Sequence, residues 1–126
     1  MGEARAEITI NRSADDVWET VGNFGDVTWM PGVERSELDG DDRIVETVGM
    51  RLVEHQYSRD DEGRTLTYGI VAGDVRPELH RATITVMPAG RGCFVTWDVE
   101  ADDAMVEAMQ GAYVGALTAL KEQLEA

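Results

Sequence analysis

Apolar and polar residues alternate in short runs along most of this chain, and only the last stretch changes to a helical period. Ala4 to Ile10 has strand alternation, with Ala6, Ile8 and Ile10 on one side. Asn11 and Arg12 end it. Ser13 followed by Asp16 then forms a capping-box arrangement, and Val17, Trp18 and Val21 give the ensuing helix one apolar face. Gly22, Gly25, Pro31 and Gly32 stop that helix from continuing far. The bulky segment FGDVTWMPGV, Phe24 to Val33, is therefore predicted to be a short second helix or a turn. Six strand-like runs follow: Val33 to Leu38, Arg43 to Val48, Arg51 to Ser58, Thr65 to Val71, Leu79 to Val86 and Phe94 to Val99. Turn chemistry separates them, at Asp39-Gly40, Gly49-Met50, DDEG, AGDVRP and PAGRG.

From Asp102 to Leu124 the period becomes helical. Met105, Met109, Ala112, Ala116 and Leu120 recur on one face, and Val106, Tyr113, Leu117 and Leu124 widen it. Acidic residues at the start and Lys121 near the end suit the helix dipole. The middle is small: Gly111, Ala112, Gly115, Ala116 and Ala119. Such residues either bring the helix close to a sheet or leave space in front of it.

The turns also set a trial register. A symmetric DDEG turn places Tyr57 opposite Leu66, His55 opposite Tyr68 and Val53 opposite Ile70. Centring the next loop on Asp74 sets Tyr68 opposite His80. Centring the last on Gly90 and Arg91 pairs Val86 with Val95, Ile84 with Trp97 and Ala82 with Val99. One face then gathers the apolar members, and the other gathers Gln56, Ser58, Thr65, Thr67, Thr83, Thr85 and Thr96. A one-residue shift at DDEG puts Glu54 where His55 would be.

Composition narrows the class. A chain of 126 residues, 43% hydrophobic and 29% charged, has the balance of one globular domain over residues 1–126. A net charge of −14, from 25 acidic and 11 basic residues, disfavours nucleic acid and anionic lipid surfaces as partners. Cys93 is the only cysteine, which leaves no internal disulfide or thiolate cluster and fits a reducing, cytoplasmic setting. No apolar run reaches the roughly 18 residues of a membrane span, and MGEARAEITI lacks a signal-peptide pattern.

The stretches SADDVWETVGNFGDVTWMPGV, DDEGRTLTY, HRATITVMP, FVTW and LTALKEQLE, in this order, carry a resemblance to the helix-grip fold of the START-like superfamily, which includes Bet v 1-like proteins. Within it, the chain is most similar to small bacterial polyketide cyclase/dehydrase-type proteins. The resemblance implies an α+β architecture of order β-α-α-β6-α, with a curved antiparallel seven-stranded sheet wrapped around a long C-terminal helix. It also implies a cavity between sheet and helix that takes lipids, polyketides, sterols or other apolar molecules. No single catalytic constellation is shared across the superfamily, so roles must come from this chain's residues.

Three function classes follow. The first is a binder of a small hydrophobic ligand, with Phe24, Trp29, Met30, Tyr57, Leu66, Ile84, Trp97, Met105, Met109 and Tyr113 as candidate contacts. The second is a cyclase, dehydratase or isomerase of a polyketide-like ketone. Its acid/base candidates are His55 and His80, with Tyr68 as donor to an enolate oxygen. The competing reading of that His-Tyr-His row is a set of satisfied polar groups in an apolar wall. The third is a protein-binding module, for which the acidic exterior favours a basic partner. No HExxH or paired-cysteine spacing supports a metal, no cofactor motif is present, and monomer and homodimer both stay open.

Overall fold

The structure, a computed structural model, describes residues 1–126. Its elements are β1 (Gly2–Ile10), α1 (Ala14–Val21), β2 (Val33–Asp39), β3 (Asp42–Thr47), β4 (Met50–Asp60), β5 (Thr65–Gly73), β6 (His80–Ala89), β7 (Gly92–Ala101) and α2 (Asp103–Glu125). The seven strands form one antiparallel sheet in the order β1-β7-β6-β5-β4-β3-β2. Each strand from β2 onward pairs with its neighbour in the chain, through tight turns everywhere except the longer β5–β6 loop. Gly40 and Gly49, at φ 65° and 76°, take the left-handed conformation that those turns require. Of the two alternatives for Phe24 to Val33, the chain takes the turn, so one helix rather than two precedes β2.

α1 begins where expected, with the Asp16 N–H donating to Ser13 Oγ at 3.1 Å. Its apolar face, Val17 and Val21, joins the core under the sheet with Ile10, Leu66, Ile84, Val86, Val95 and Trp97. Trp18 Nε1 donates to Asp61 at 3.1 Å, the Arg59 guanidinium lies 5.2 Å from the Trp18 ring centre, and Arg59 also donates to the Gly22 carbonyl. These contacts tie the β4–β5 turn to α1 and hold the chain entering Phe24.

The C-terminal half of α2 is packed tightly, through Ala116, Leu117 and Leu120. The helix also covers the outer edge of β1: Gln110 donates to the Arg5 carbonyl and Lys121 to the Thr9 carbonyl, each at 2.8 Å. The other half stands off from β3, β4 and β5. Ala112 and Gly115 face open space there, and nothing lies within 4 Å of a Cβ built at Gly115. The small residues of this helix leave room. No helix is long and apolar enough to cross a membrane.

The β6–β7 register is the expected one, with Val86, Ile84 and Ala82 opposite Val95, Trp97 and Val99. In β5–β6, Tyr68 pairs with Ala82 rather than His80, an even offset that keeps every side chain on its face. The β4–β5 expectation needs correction. The turn is centred one residue later than a symmetric DDEG turn would be, which sets Arg59 opposite Leu66, and an irregularity at Gln56/Ser58 then puts Gln56 opposite Tyr68 and Glu54 opposite Ile70. The faces of β4 are thereby exchanged: Leu52 and Glu54 look under α2, and His55 and Tyr57 look away from it.

Candidate functional site

Two apolar lobes lie between the sheet and the open half of α2. The first, of ≈ 350 Å³, is bounded by Val27, Met30 and Val33 of the turn segment and β2, Arg43 and Val45 of β3, Tyr68 and Trp97 of the sheet, and Gly115 and Ala116 of α2. The second, of ≈ 390 Å³, is bounded by Met50, Ile70, Val75 and His80 opposite Met105, Ala108 and Met109. Leu52, Glu54, Ala112 and Tyr113 belong to both, so they form the waist between the lobes. At the inner end of the first lobe is a further void of ≈ 10 Å³ lined by Trp29, Arg43, Tyr68, Ile84 and Trp97.

Polar groups enter these walls as a connected set. Arg43 is 3% exposed, and its guanidinium lies over the rings of Phe24 and Tyr68, which meet edge-on beside it, 4.1 and 4.6 Å from their centres. Its Nε donates to Glu54 Oε1 at 2.8 Å and its Nη1 to the Phe24 carbonyl at 3.3 Å. Glu54 Oε2 has no protein partner and belongs to the waist. The buried charges cancel, as a pair removed from water must.

His80 sits on the same surface with a fixed tautomer. The Ile70 N–H donates to His80 Nδ1 at 2.9 Å, so Nδ1 is unprotonated and Nε2 carries the hydrogen that meets Tyr113 Oη at 3.0 Å. Burial lowers the imidazole pKa, with Glu54 opposing and Arg43 reinforcing that shift. Gly69 makes this arrangement possible, since a Cβ there would collide with the His80 carbonyl. Tyr113 in turn stacks flat on Trp97, with centres 4.1 Å apart and planes 1° apart. Trp97 Nε1 donates to Tyr68 Oη at 3.1 Å. Burial raises the pKa of both phenols, so Tyr68 and Tyr113 act as neutral hydrogen-bonding groups.

The candidates separate accordingly. Met30, Trp97, Met105, Met109 and Tyr113 line the lobes, as do Tyr68 and His80; Trp29, Leu66 and Ile84 line the inner void. Phe24 is buried behind Arg43 and backs it. His55 and Tyr57 are corrected: the irregularity at Gln56/Ser58 turns them to the opposite face. There His55 Nδ1 meets Asp42 at 2.6 Å, and Tyr57, 44% exposed, packs beneath Arg81. The expected His55-Tyr68-His80 row is therefore broken at its first member. Arg43 was not singled out, and Glu54 entered only as the residue that a one-residue shift would put in place of His55. Their signal was parity: Arg43 alternates inward with Val45 and Thr47, and Glu54 with Leu52.

A curved antiparallel sheet of seven strands, closed by a long C-terminal helix with a cavity between them, defines the START-like, Bet v 1-like helix-grip class. The chain belongs to the family described as polyketide cyclase / dehydrase and lipid transport, whose model matches residues 1–125. Similar solved structures agree on the fold. The protein XoxI from Bacillus cereus has a TM-score of 0.91 at 23% identity, over 100% of this chain and 99% of that one. A START superfamily protein from Mycobacterium smegmatis has a TM-score of 0.81 at 14% identity, over 98% and 97%. Norcoclaurine synthase from Thalictrum flavum, in complex with dopamine and hydroxybenzaldehyde, has a TM-score of 0.74 at 20% identity, over 98% and 86%. No curated protein matches the chain. Family and fold together support a hydrophobic ligand-binding architecture.

Proposed function

We propose that this protein binds one small, uncharged, mainly apolar molecule in the two-lobed cavity under α2, as a carrier or sensor. The observation that carries this reading is the cavity itself: two apolar lobes of ≈ 350 and ≈ 390 Å³ meeting at a waist that holds Glu54 and the Tyr113 hydroxyl. Sites for small ligands share this design, a large apolar wall with a few placed polar groups. Met30, Trp97, Met105, Met109 and Tyr113 supply that wall, and the thioethers let it adapt. The fold relative norcoclaurine synthase is seen with two small aromatic molecules, a ligand size that suits lobes of this volume. Organic extraction of the purified protein, followed by mass spectrometry, tests the proposal. Recovery of a stoichiometric apolar compound supports it, and a protein that neither carries nor takes up any such compound overturns it.

A second reading, isomerisation or dehydration of a bound ketone, has one specific observation in its favour. Glu54 offers an unpartnered carboxylate oxygen in the same waist as Tyr113, whose hydroxyl accepts from a neutral His80. In that reading Glu54 removes a proton next to the carbonyl, and Tyr113 donates to the enolate oxygen while His80 steadies it. Glu54→Gln and Tyr113→Phe would each have to lower turnover of an identified ketone by about a hundredfold or more. Turnover unchanged in both variants removes the enzyme reading and leaves the binding one.

A further inference from the structure

The two edges of the sheet end differently. α2 covers β1 through Gln110 and Lys121, whereas β2 has no strand beyond it. The two-residue turn at Gly40 and Asp41 closes on the Asp39–Asp42 pair, and antiparallel bonding alternates from there. Asp39, Glu37 and Arg35 therefore bond to β3, and Ser36 and Leu38 turn their N–H and C=O groups outward. The Gln56 N–H, which donates to the Asp41 carbonyl at 2.8 Å, fixes the same parity on the far side of β3.

This edge is already rigid. Ser36 Oγ accepts from the Val27 N–H at 3.0 Å and donates to the Gly25 carbonyl at 2.9 Å, and Leu38 packs against Gly25. Leu38 is nevertheless 57% exposed. A strand added here would cover it and gain backbone hydrogen bonds without first having to order the edge.

Charge selects the occupant. The strand VERSELD carries Glu34, Glu37 and Asp39 against Arg35 alone, and Arg35 already faces Glu46 at 3.8 Å, while Glu37 and Asp39 have no salt bridge. Acidic residues on the edge of a chain with net charge −14 oppose pairing between two copies, which is the protection an open edge needs. They do not oppose a basic strand. We propose that β2 is a docking edge for an extended basic segment of another protein. The segment adds antiparallel to β2, with Lys or Arg opposite Glu37 and Asp39 and an apolar side chain opposite Leu38. The proposal is independent of the cavity reading, since Glu37, Leu38 and Asp39 line neither lobe.

The probe is the peptide acetyl-Lys-Val-Lys-Thr-Thr-Val-Lys-amide, whose first and third residues meet Asp39 and Glu37 in that pairing. Titrated into isotope-labelled protein, it is expected to shift NMR signals mainly from Arg35 to Asp39 and to slow amide exchange at Ser36 and Leu38. N-methylation of its first valine and first threonine, opposite Leu38 and Ser36, keeps every charge and removes the backbone bonds, and should weaken binding by about tenfold or more. Leu38→Pro should do the same from the other side, and it breaks no bond to β3 because that N–H points outward. Glutamates in place of the three lysines should abolish binding. No binding of the parent peptide, equal binding of the N-methylated one, or shifts spread over the acidic surface overturns the proposal. Sedimentation that shows the free protein dimerising, with Leu38→Pro abolishing the dimer, gives the edge to a second copy and overturns it as well.

Discussion

Replacing either member of the Arg43–Glu54 pair should destabilise the protein far more than replacing both. Arg43 is 3% exposed with its guanidinium over the Phe24 and Tyr68 rings, and the side chains of the pair are 4% and 12% exposed, so each charge stays poorly hydrated when its partner is lost. Glu54→Leu leaves a buried cation with only the Phe24 carbonyl, and Arg43→Met leaves a buried carboxylate; each is expected to cost about 3–5 kcal/mol. The double variant Arg43→Met/Glu54→Leu removes both charges and keeps the volume apolar. It is expected to fall within about 1–2 kcal/mol of the wild type, or above it. The interaction energy from the cycle is then at least about 4 kcal/mol, well beyond the error of additivity for independent sites. Urea titrations followed by far-ultraviolet circular dichroism measure all four proteins, with an unchanged m-value confirming a common unfolding reaction. Single variants that lose less than about 1 kcal/mol, or a double variant that loses the sum of the two, would refute the picture of a desolvated pair. Recovery in the double variant would also mean that the pair is not there for stability. Its place in the cavity wall supplies the other reason for keeping it.

Two further predictions concern the groups around that pair. Burial holds the His80 pKa below its ordinary value, so between the folded and unfolded values the unfolded chain binds more protons, and stability rises with pH there. The stabilisation from neutral His80 is complete above about pH 6.5 and declines as pH falls below that. His80→Gln should flatten the stability profile just below about pH 6.5, and an identical slope in both proteins would contradict the assignment. Tyr68→Phe leaves the indole N–H of Trp97, 0% exposed, without its acceptor. It should cost about 1–3 kcal/mol in a thermal or urea scan, and a variant as stable as the wild type would show that the Trp97–Tyr68 bond contributes nothing.

How much of this was legible in the sequence depended on how each segment is closed. Strand order was readable because every turn from Asp39 onward carries its own Gly or Asp signal, and the β6–β7 register followed from the tight Gly90-Arg91 turn. The β4–β5 register was not readable, because an irregularity inside the hairpin, at Gln56/Ser58, shifts the pairing without any turn residue to mark it. That shift alone exchanged His55 for Glu54 at the site. In β5–β6 the long AGDVRP loop has no centre of symmetry, and the His80 side chain occupies the position where the next ladder acceptor would be. The Arg43–Glu54 pair was hidden because charged residues in strands are ordinarily read as outward. The alternation of Arg43 with Val45 and of Glu54 with Leu52 held the contrary signal. Gly25 and Pro31 rule out a single packed helical face for Trp29 and Met30, and the structure sets Met30 on the first lobe and Trp29 on the small inner void.

The central claim, a cavity for a small apolar molecule under the open half of α2, is tested most directly by titrating the uncharged dye Nile red into matched variants. Ala112 belongs to the waist of both lobes, whereas Val114, 49% exposed, lies two residues along the helix and outside either one. The wild type should take up one dye per chain, with bound dye displaced by the organic extract of the protein. Ala112→Trp should weaken uptake by about tenfold or more, and Val114→Trp should leave it unaltered. Equal uptake by both tryptophan variants would place the dye on the outer surface and contradict the account.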